Sequence, residues 1–157
     1  GFFPGAGDQY LAEPLYDQGY LVVASPAVMA KGPMTMQSYL AHDHVLVSPM
    51  GDLHGIVDTA LEGIGRTRRV VMTVPQFYPA LAAVVATDVI ATLPERVARA
   101  HGPRLGLVLS EPPLELRRFA ISVLRHRRNA ADPRLLWAIG LIRQAAAEHV
   151  PANRRPA

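Results

Sequence analysis

The segment RRVVMTVPQFYPALAAVVATDVIATLP, residues 68–94, constrains the fold more than any other part of the chain. Its apolar residues predict a strand at 69–74, a helix from about 76 to 86 and a second strand at 89–93. A strand, a helix of about ten residues and another strand are typical of a crossover in an α/β protein. The predicted core positions of this unit are Val70, Met72, Leu81, Val85 and Ile90.

The rest of the chain continues the alternation of strands and helices, which predicts an α/β fold with a largely parallel sheet. Further strands are predicted at 20–24, 44–48, 105–109 and 119–125. Further helices are predicted at 35–41 with Thr35 as cap, at 52–63, at 94–101, and at 133–149 with Asp132 as cap. The last helix presents Leu135, Leu136, Ile139, Ile142 and Ala146 on one face. Loops are predicted at 1–13 and 25–33, and a disordered tail at 151–157.

Hydroxyl side chains fall at the carboxyl ends of three predicted strands. These side chains belong to Ser48, Thr73 and Thr92. Right-handed crossovers place the carboxyl ends of parallel strands along one edge, where open α/β sheets bind ligands. The sequence therefore predicts a small-molecule site at this edge of the sheet.

The junction between the strand at 69–74 and the following helix has two interpretations. Pro75 and Pro79 lack a backbone N–H, which a helix tolerates if it starts near Gln76. The unpaired N–H groups of its first turn would then offer a seat for a carboxylate or another polar ligand. Alternatively, Thr73 or a water molecule satisfies these donors, and the junction is purely structural. The residues alone leave both interpretations open.

The composition excludes several classes of protein and of site. A chain of 157 residues, half of them apolar, can form a packed core as one domain or two small lobes. The sequence has no cysteine, which excludes a disulfide scaffold, a thiolate metal site and a cysteine nucleophile. The longest apolar run, at 80–86, is too short to span a bilayer, and we recognise no signal peptide. We therefore expect a cytoplasmic protein without a membrane partner.

Charge is distributed unevenly along the chain. Residues 1–65 carry one lysine against seven acidic residues (−6), and residues 66–157 carry fifteen arginines against six acidic residues (+9). An excess of arginine can mark a nucleic-acid surface, but such surfaces also use lysine and stacking aromatic residues. Here the arginines flank predicted strands, at 66–69 and 125–128. We therefore predict no direct contact of this region with DNA.

Motifs for metal binding and catalysis are weak. His42 and His44 lie two residues apart and His54 follows, but catalytic zinc normally needs three well-spaced protein ligands. Ser48 lacks the preceding glycine of a Gly-x-Ser-x-Gly nucleophile elbow. The sequence contains no Walker A loop, no Gly-x-Gly-x-x-Gly fingerprint and no paired-carboxylate motif. We therefore predict no catalytic residue, no metal site, no cofactor and no enzymatic activity.

Six motifs follow one another along the chain and cover about residues 1 to 143. They are EPLYDQGYLVVAS, GPMTMQSYLA, HVLVSPMGDLHGIVDTALEGIG, RRVVMTVPQFYPALAAVVATDVIATLP, LGLVLSEPPLEL and HRRNAADPRLLWAIGLI. Each motif alone is unspecific, but in this order they resemble the effector-binding region of LysR-type transcriptional regulators. The resemblance is nearest to the nodulation-regulator-like branch, which has aromatic-degradation members.

This resemblance implies a bilobal α/β fold like that of type 2 periplasmic binding proteins. The chain would hold one complete distal lobe, at 25–114, and part of the proximal lobe, at 1–24 and 115–150, before the tail at 151–157. The family's N-terminal helix-turn-helix, linker helix and first part of the proximal lobe have no counterpart in this sequence, which implies a fragment of a longer regulator. The partial lobe is then expected to expose apolar faces.

The resemblance also implies a sensor function. A small aromatic or carboxylate effector would bind between the lobes and modulate DNA binding by the absent N-terminal domain, within a dimer or tetramer. The residues expected to contact the effector are Ser48, Thr73, Pro75, Gln76, Phe77 and Thr92. The hydroxyls and first-turn N–H groups would bind its oxygen atoms, and Phe77 would form an apolar wall. The alternative is a stand-alone solute-binding protein of the same fold. A third interpretation, an α/β-hydrolase-like or transferase enzyme, fails on the missing nucleophile elbow and phosphate loop.

Overall fold

A computed structural model describes residues 7–30, 32 and 34–148 of the chain. In this part of the chain the backbone forms two compact units. The larger unit is the continuous segment Gly19–Arg118, and the smaller unit is built from residues 7–18 and 119–148. The predicted tail at 151–157 lies outside the described residues.

The described residues form seven strands and six α-helices. The strands are β1 (Tyr10–Gln18), β2 (Tyr20–Ala24), β3 (Asp43–Val47), β4 (Arg69–Val74), β5 (Ile90–Pro94), β6 (Val108–Ser110) and β7 (Phe119–His126). The helices are α1 (Pro26–Met29), α2 (Met36–Ala41), α3 (Ile56–Glu62), α4 (Phe77–Ala86), α5 (Glu95–His101) and α6 (Pro133–Glu148). Short 3-10 turns lie at Pro103–Leu105 and Arg127–Asn129.

The larger unit is built on a five-stranded sheet with the strand order β4-β3-β5-β2-β6. Strand β3 runs parallel to β4 and β5, whereas β2 runs antiparallel to β5 and β6. The predicted α/β fold is confirmed, but the sheet is mixed and not largely parallel. The run YLVVA of β2 is buried on both faces, and such a run specifies a central strand without specifying its direction. The sequence pattern therefore could not reveal the reversal.

Helices cover both faces of this sheet. On one side, the α4 face, helices α4 and α5 enclose a core that contains Val45, Leu81, Val84, Leu93 and Ala98. On the other side, the α2 face, helices α2 and α3 enclose a core that contains Val22, Tyr39, Val57, Leu61 and Ile90. The inner strands β2, β3 and β5 therefore contribute alternate residues to two separate cores, as expected for strands covered on both sides.

Two predicted core positions of the crossover are wrong. Met72 is 42% exposed and Val85 is 51% exposed. A β-bulge at Val71 breaks the alternation of β4, so that Val70 pairs with His44 and Met72 pairs with the next residue of β3. Because β4 is an edge strand, its outer residues receive less cover than those of β3. In α4 the neighbouring Val84 is buried together with Ala80 and Leu81, whereas Val85 faces solvent.

Local hydrogen bonds explain where the first helices begin. Helix α2 starts after Thr35 as predicted, because the Ser38 N–H donates to Thr35 Oγ1 at 3.2 Å. Helix α3 starts at Ile56 and not at 52, because the Asp58 carboxylate accepts from the Gly55 N–H at 2.8 Å and fixes the first turn there. The predicted loop at 25–33 contains α1, whose first turn is capped by the preceding serine.

The predicted strand at 105–109 starts too early. Residues Pro103–Leu105 form a 3-10 turn, and Gly106 follows it with φ +70°. This backbone conformation is accessible to glycine at little cost but interrupts a strand. Strand β6 therefore starts only at Val108.

The smaller unit consists of an antiparallel pair of strands, β1 and β7, and helix α6. The prediction of a loop up to residue 13 is wrong from Tyr10 onward, because β1 starts there. Polar and charged residues interrupt the apolar pattern of β1, and one of them, Glu13, forms an ion pair with Arg125 of β7 at 2.8 Å. Pro14 is accommodated at a register shift of the pair, where a missing N–H is tolerated.

Helix α6 begins as predicted at Pro133, with the Asp132 side chain accepting from the Arg134 N–H at 2.9 Å. Of its predicted apolar face, Ile139 is buried, whereas Leu136 and Ile142 are exposed. Further exposed apolar side chains on this helix are those of Trp137 and Leu141. The expectation that this part of the chain exposes apolar surface is therefore confirmed for α6. No helix among the described residues is both long and apolar enough to cross a membrane.

We expect Leu81→Ala to lower the free energy of unfolding of the larger unit by about 3 kcal/mol, because it leaves a cavity in a fully buried site. Val85→Ala, on the same helix but half exposed, should cost less than about 1 kcal/mol. Urea titration followed by circular dichroism measures both values. Equal losses for the two variants would contradict the assignment of the buried face of α4.

Candidate functional site

The carboxyl ends of β3 and β4 lie side by side. We call this end of the sheet, where these two strands finish, the carboxyl-end edge. The N–H of Ser48, the residue after β3, donates to the Val74 carbonyl at the end of β4 at 2.9 Å. This bond continues the parallel ladder by one residue and holds the partly buried Ser48 beside the start of the connection to α4. Two of the predicted strand ends are therefore neighbours.

The connection from β4 to α4 leaves backbone donors at the same edge. Gln76 is the N-cap of α4, with φ −142° and ψ 161°, and its side chain is not bonded to the first turn in the described structure. The Phe77 and Tyr78 N–H groups have no acceptor within the helix because of their position, and Pro79 has no N–H. Pro75 and Gln76 are exposed and Phe77 is 39% exposed, so solvent reaches this turn.

Hydroxyl residues form a row across the sheet on the α2 face. Thr73 of β4 is in register with Leu46 of β3, and Val22 of β2 is in register with Thr92 of β5 and Ser110 of β6. Val45 of β3 is in register with Ala91 of β5, so the residues that follow them, Leu46 and Thr92, are also neighbours. From β4 across to β6, the row therefore consists of Thr73, Leu46, Thr92, Val22 and Ser110. Thr73 and Thr92 are roughly 10 Å apart, because two strand spacings separate them.

The Thr92 hydroxyl is bonded from the interior of the protein. Its Oγ1 lies 2.7 Å from the Oη of Tyr39, which is the fully buried residue of α2. Burial raises the pKa of the Tyr39 phenol, against the opposing effects of Thr92 and Arg68. Tyr39 is therefore a neutral phenol that anchors the hydroxyl of a predicted site residue.

A buried histidine holds Tyr39 in turn. His44 Nε2 lies 2.9 Å from the Tyr39 carbonyl oxygen, and the two rings meet edge to face with centroids 4.6 Å apart. His44 Nδ1 lies 3.4 Å from Arg68 Nη1, and a guanidinium can only donate. Nδ1 is therefore the acceptor, which places the proton on Nε2, where it is donated to the Tyr39 carbonyl.

The network ends in a buried ion pair between Arg68 and Asp58. Arg68 Nε and Nη2 donate to the two carboxylate oxygens at 2.8 Å each, with side chains 1% and 13% exposed. Burial would raise the pKa of Asp58, but the hydrogen bonds from Arg68 outweigh it and hold the pKa below its usual value. Burial would likewise lower the pKa of Arg68, but Asp58 raises it. Both groups are therefore charged throughout the physiological range.

Burial, reinforced by the positive charge of Arg68, keeps His44 neutral. Burial and then the positive charge of Arg68 lower the pKa of His44 from 6.5 to about 4. The predicted His42–Asp43–His44 cluster is therefore divided: His44 belongs to the interior, and His54 is paired instead with Glu62 at 3.1 Å. Among the described residues no group of three or more His, Asp or Glu side chains is placed to hold a metal ion.

The structure thus brings Ser48, Thr73, Pro75, Gln76 and Phe77 to one edge of the sheet. Thr92 lies in the same row of residues but is tied to the core. Sequence reasoning missed the supporting residues Tyr39, His44, Asp58 and Arg68. An arginine before a strand is typical of a surface residue, so only the pairing of an acid in α3 with a basic residue before β4 could have indicated the buried pair.

A separate groove of about 560 Å³ lies at the opposite edge of the sheet, where β3 and β4 begin. Its lining residues are Met36, Gln37, Leu40, Ala41 and Arg66. It does not include any of the predicted effector residues. We therefore treat the carboxyl-end edge, and not this groove, as the candidate site.

Comparison with known proteins agrees with this architecture. The family model of the LysR substrate binding domain matches residues 1–147, and the chain belongs to this family. The chain is 35% identical over 108 residues to the HTH-type transcriptional activator NagR of Ralstonia sp, covering 69% of this chain and 36% of NagR. It is 30% identical over 141 residues to the HTH-type transcriptional regulator SyrM of Rhizobium meliloti, covering 87% of this chain and 43% of SyrM.

Solved structures show the same fold. The regulatory domain of MexT, a transcriptional activator of Pseudomonas aeruginosa, superimposes with a TM-score of 0.79 at 31% identity, covering 91% of this chain and 69% of that chain. The effector-binding domain of QuiR in complex with shikimate superimposes with a TM-score of 0.71 at 14% identity, covering 96% and 71%. The predicted LysR resemblance and the type 2 periplasmic-binding-protein fold are therefore confirmed. The chain spans less than half the length of the curated relatives NagR and SyrM.

The buried His44 predicts a specific dependence of stability on pH. Its folded-state pKa of about 4 lies below the ordinary value of 6.5, so the unfolded chain takes up a proton first as the pH falls. The free energy of unfolding should therefore be retained above pH 6.5 and fall by roughly 3 kcal/mol between pH 6.5 and 4. Urea titrations across this range measure the loss.

His44→Gln, which keeps an N–H for the Tyr39 carbonyl, should remove this part of the pH dependence. His54→Gln, a change at an exposed histidine, serves as the matched control and should retain the slope. An unchanged slope in His44→Gln would show that His44 is not the titrating group.

Proposed function

We propose that this chain is the effector-sensing part of a longer LysR-type transcriptional regulator and binds a small carboxylate, aromatic or aliphatic, at the carboxyl-end edge of the larger unit. One observation carries the proposal: the exposed first turn of α4, with its unpaired donors, lies beside Ser48 at the ends of β3 and β4. The similarity to NagR and SyrM, both HTH-type regulators, supports a regulatory over a solute-transport role.

The proposed contacts follow from the chemistry of this edge. The N–H groups of Phe77 and Tyr78 lie at the N-terminus of α4, which is the positive end of the helix dipole. Both the N–H donors and the dipole favour the binding of an anion. The first turn of α4 contains no acidic residue that would oppose this charge. The hydroxyls of Ser48 and Thr73 and the Gln76 amide supply further hydrogen bonds, and the exposed ring of Phe77 offers an apolar surface for the body of the ligand.

In this proposal the larger unit corresponds to the distal lobe and the smaller unit to part of the proximal lobe. An effector that binds one arrangement of the lobes more tightly than another shifts the population toward it. That shift would alter DNA binding through a helix-turn-helix domain outside this chain. The effector-binding domain of QuiR, which shares the fold, has a solved structure in complex with shikimate, a small carboxylate.

The proposal includes a homo-oligomer, a dimer or tetramer of the full-length regulator. Exposed apolar residues on the edge strand β4 (Val71 and Met72) and on helix α6 (Leu136, Trp137 and Leu141) support such association. Apolar surface of this kind on an edge strand and a helix typically marks a protein–protein contact.

A thermal-shift screen of benzoate and small aliphatic carboxylates against the regulator encoded by the complete natural gene tests the site. A ligand present at a hundredfold its dissociation constant should add about 2.7 kcal/mol of stability. Thr73→Val and Gln76→Ala should each weaken binding about tenfold, because each removes a hydrogen bond to a charged ligand.

Thr67→Val and Gln37→Ala are matched controls, since both residues are exposed and lie outside the candidate site. They should leave the shifts unchanged. If Thr73→Val and Gln76→Ala leave every hit as strong as in the wild type, the site is assigned wrongly.

The regulator assignment has an independent test in the gene. The coding sequence that precedes Gly1 should encode a helix-turn-helix, as the names of NagR and SyrM state for those relatives. A start codon directly before Gly1 with an in-frame stop upstream would contradict the assignment.

A further inference from the structure

Tyr39 connects the core of the larger unit to the candidate site. The phenol is fully buried on the α2 face, yet its hydroxyl lies 2.7 Å from that of Thr92, which is only partly buried. A bond from a rigid, buried group removes the freedom of the more exposed hydroxyl to rotate. Tyr39 therefore influences the direction in which the Thr92 hydroxyl can make a hydrogen bond to a ligand.

The direction of this hydrogen bond follows from the acidity of its two groups. A phenol, with an ordinary pKa of about 10, is a far stronger acid than an aliphatic alcohol. The stronger acid is the better donor in a phenol–alcohol pair. Across the 2.7 Å that separate them, Tyr39 Oη is therefore the donor and Thr92 Oγ1 the acceptor.

The surroundings hold the Tyr39 side chain in one position. Arg68 is fixed by two hydrogen bonds to Asp58, and its third contact is to His44. The His44 ring packs edge to face against the Tyr39 ring and donates to its carbonyl oxygen. The tyrosine is therefore held at both its backbone and its ring, with only the hydroxyl directed to Thr92.

We propose that Tyr39 is a positioning residue of the effector site: by donating to Thr92 Oγ1 it leaves the Thr92 proton for an oxygen atom of the effector. This inference rests on the proposed function and narrows its ligand class. A hydroxyl in this state offers a donor, so it selects a carboxylate or carbonyl oxygen at that position. A group that can only donate, such as an ammonium, is disfavoured there because two donors would face each other.

Isothermal titration of sodium benzoate into the full-length regulator tests the inference with a double-mutant cycle. Thr92→Val should weaken benzoate binding about tenfold, since it removes one hydrogen bond to a carboxylate. Tyr39→Phe should weaken it about three- to tenfold, since the Thr92 hydroxyl is released to rotate. In the Thr92→Val background, Tyr39→Phe should have no further effect beyond about twofold.

This last comparison separates positioning from a structural role. A tyrosine that only stabilised the fold would weaken binding equally in both backgrounds, and that result overturns the inference. Thr92→Ser, which keeps the hydroxyl, should restore the sensitivity to Tyr39→Phe. Tyr10→Phe in the smaller unit removes an exposed phenol and should leave the affinity unchanged.

The outcomes for the inference and for the proposed function are distinct. If benzoate binds and responds to Thr73→Val but not to Tyr39→Phe, the effector site stands and the role of Tyr39 is overturned. If wild-type protein does not bind benzoate at millimolar concentration, the inference is overturned. The proposed function is then decided by the other carboxylates of the screen.

Discussion

The ion pair between Arg68 and Asp58 is the interaction on which the larger unit depends most. Removing two charges from water is costly, and a buried pair is tolerated only if its remaining donors and acceptors are satisfied. Here the carboxylate accepts from the Nε–H and Nη2–H groups of Arg68 and from the Gly55 N–H, and the remaining Nη1 of Arg68 contacts His44. The pair links the start of α3 to the residue before β4, and so attaches the edge strand to the helix layer on the α2 face.

The same pair orders the polar interior beyond it. A fixed guanidinium can only donate, so it imposes one tautomer on His44, whose Nε2–H then donates to the Tyr39 carbonyl. A single neutral hydrogen bond contributes about 1 kcal/mol net, whereas an uncompensated buried charge costs several. The charge therefore decides the orientation of the weaker groups, and its influence reaches the row of hydroxyl residues through Thr92.

Local patterns in the sequence were sufficient for much of the architecture. The crossover from β4 to β5, the caps Thr35 and Asp132, and the hydroxyl residues near the strand ends all follow from short-range rules of periodicity and capping. The reversal of β2 and the bulge at Val71 depend on partners far away in the chain, which a strand's own residues do not encode. Strand β1 was not predicted because charged residues interrupt its apolar pattern, and the arginines that pair with its Glu13 lie far away in the chain, on β7 and α6.

The buried network of Tyr39, His44, Arg68 and Asp58 could not be predicted from the sequence for a similar reason. The hydroxyls at the strand ends were recognisable from their position, but the residues that orient them were not. Arg68 and His44 have side chains that usually reach water, and only the folded arrangement shows both in the interior. A polar residue's role here depends on which partner the tertiary structure supplies.

The continuity of the larger unit has a consequence for how the chain folds. Its first and last residues, Gly19 and Arg118, are neighbours in space, because the residues on either side of the unit, Gln18 and Phe119, are paired in the β1–β7 ladder. The first pair of the β1–β7 ladder, Gln18 and Phe119, joins positions on either side of this whole unit. Closing so long a loop in an unfolded chain carries a large entropic cost, but a folded insert already holds its two ends together. The pairing of β1 with β7 joins residues far apart in the sequence. Once the inserted unit has folded, the two strands are already close together, so the remaining entropic cost of pairing them is small.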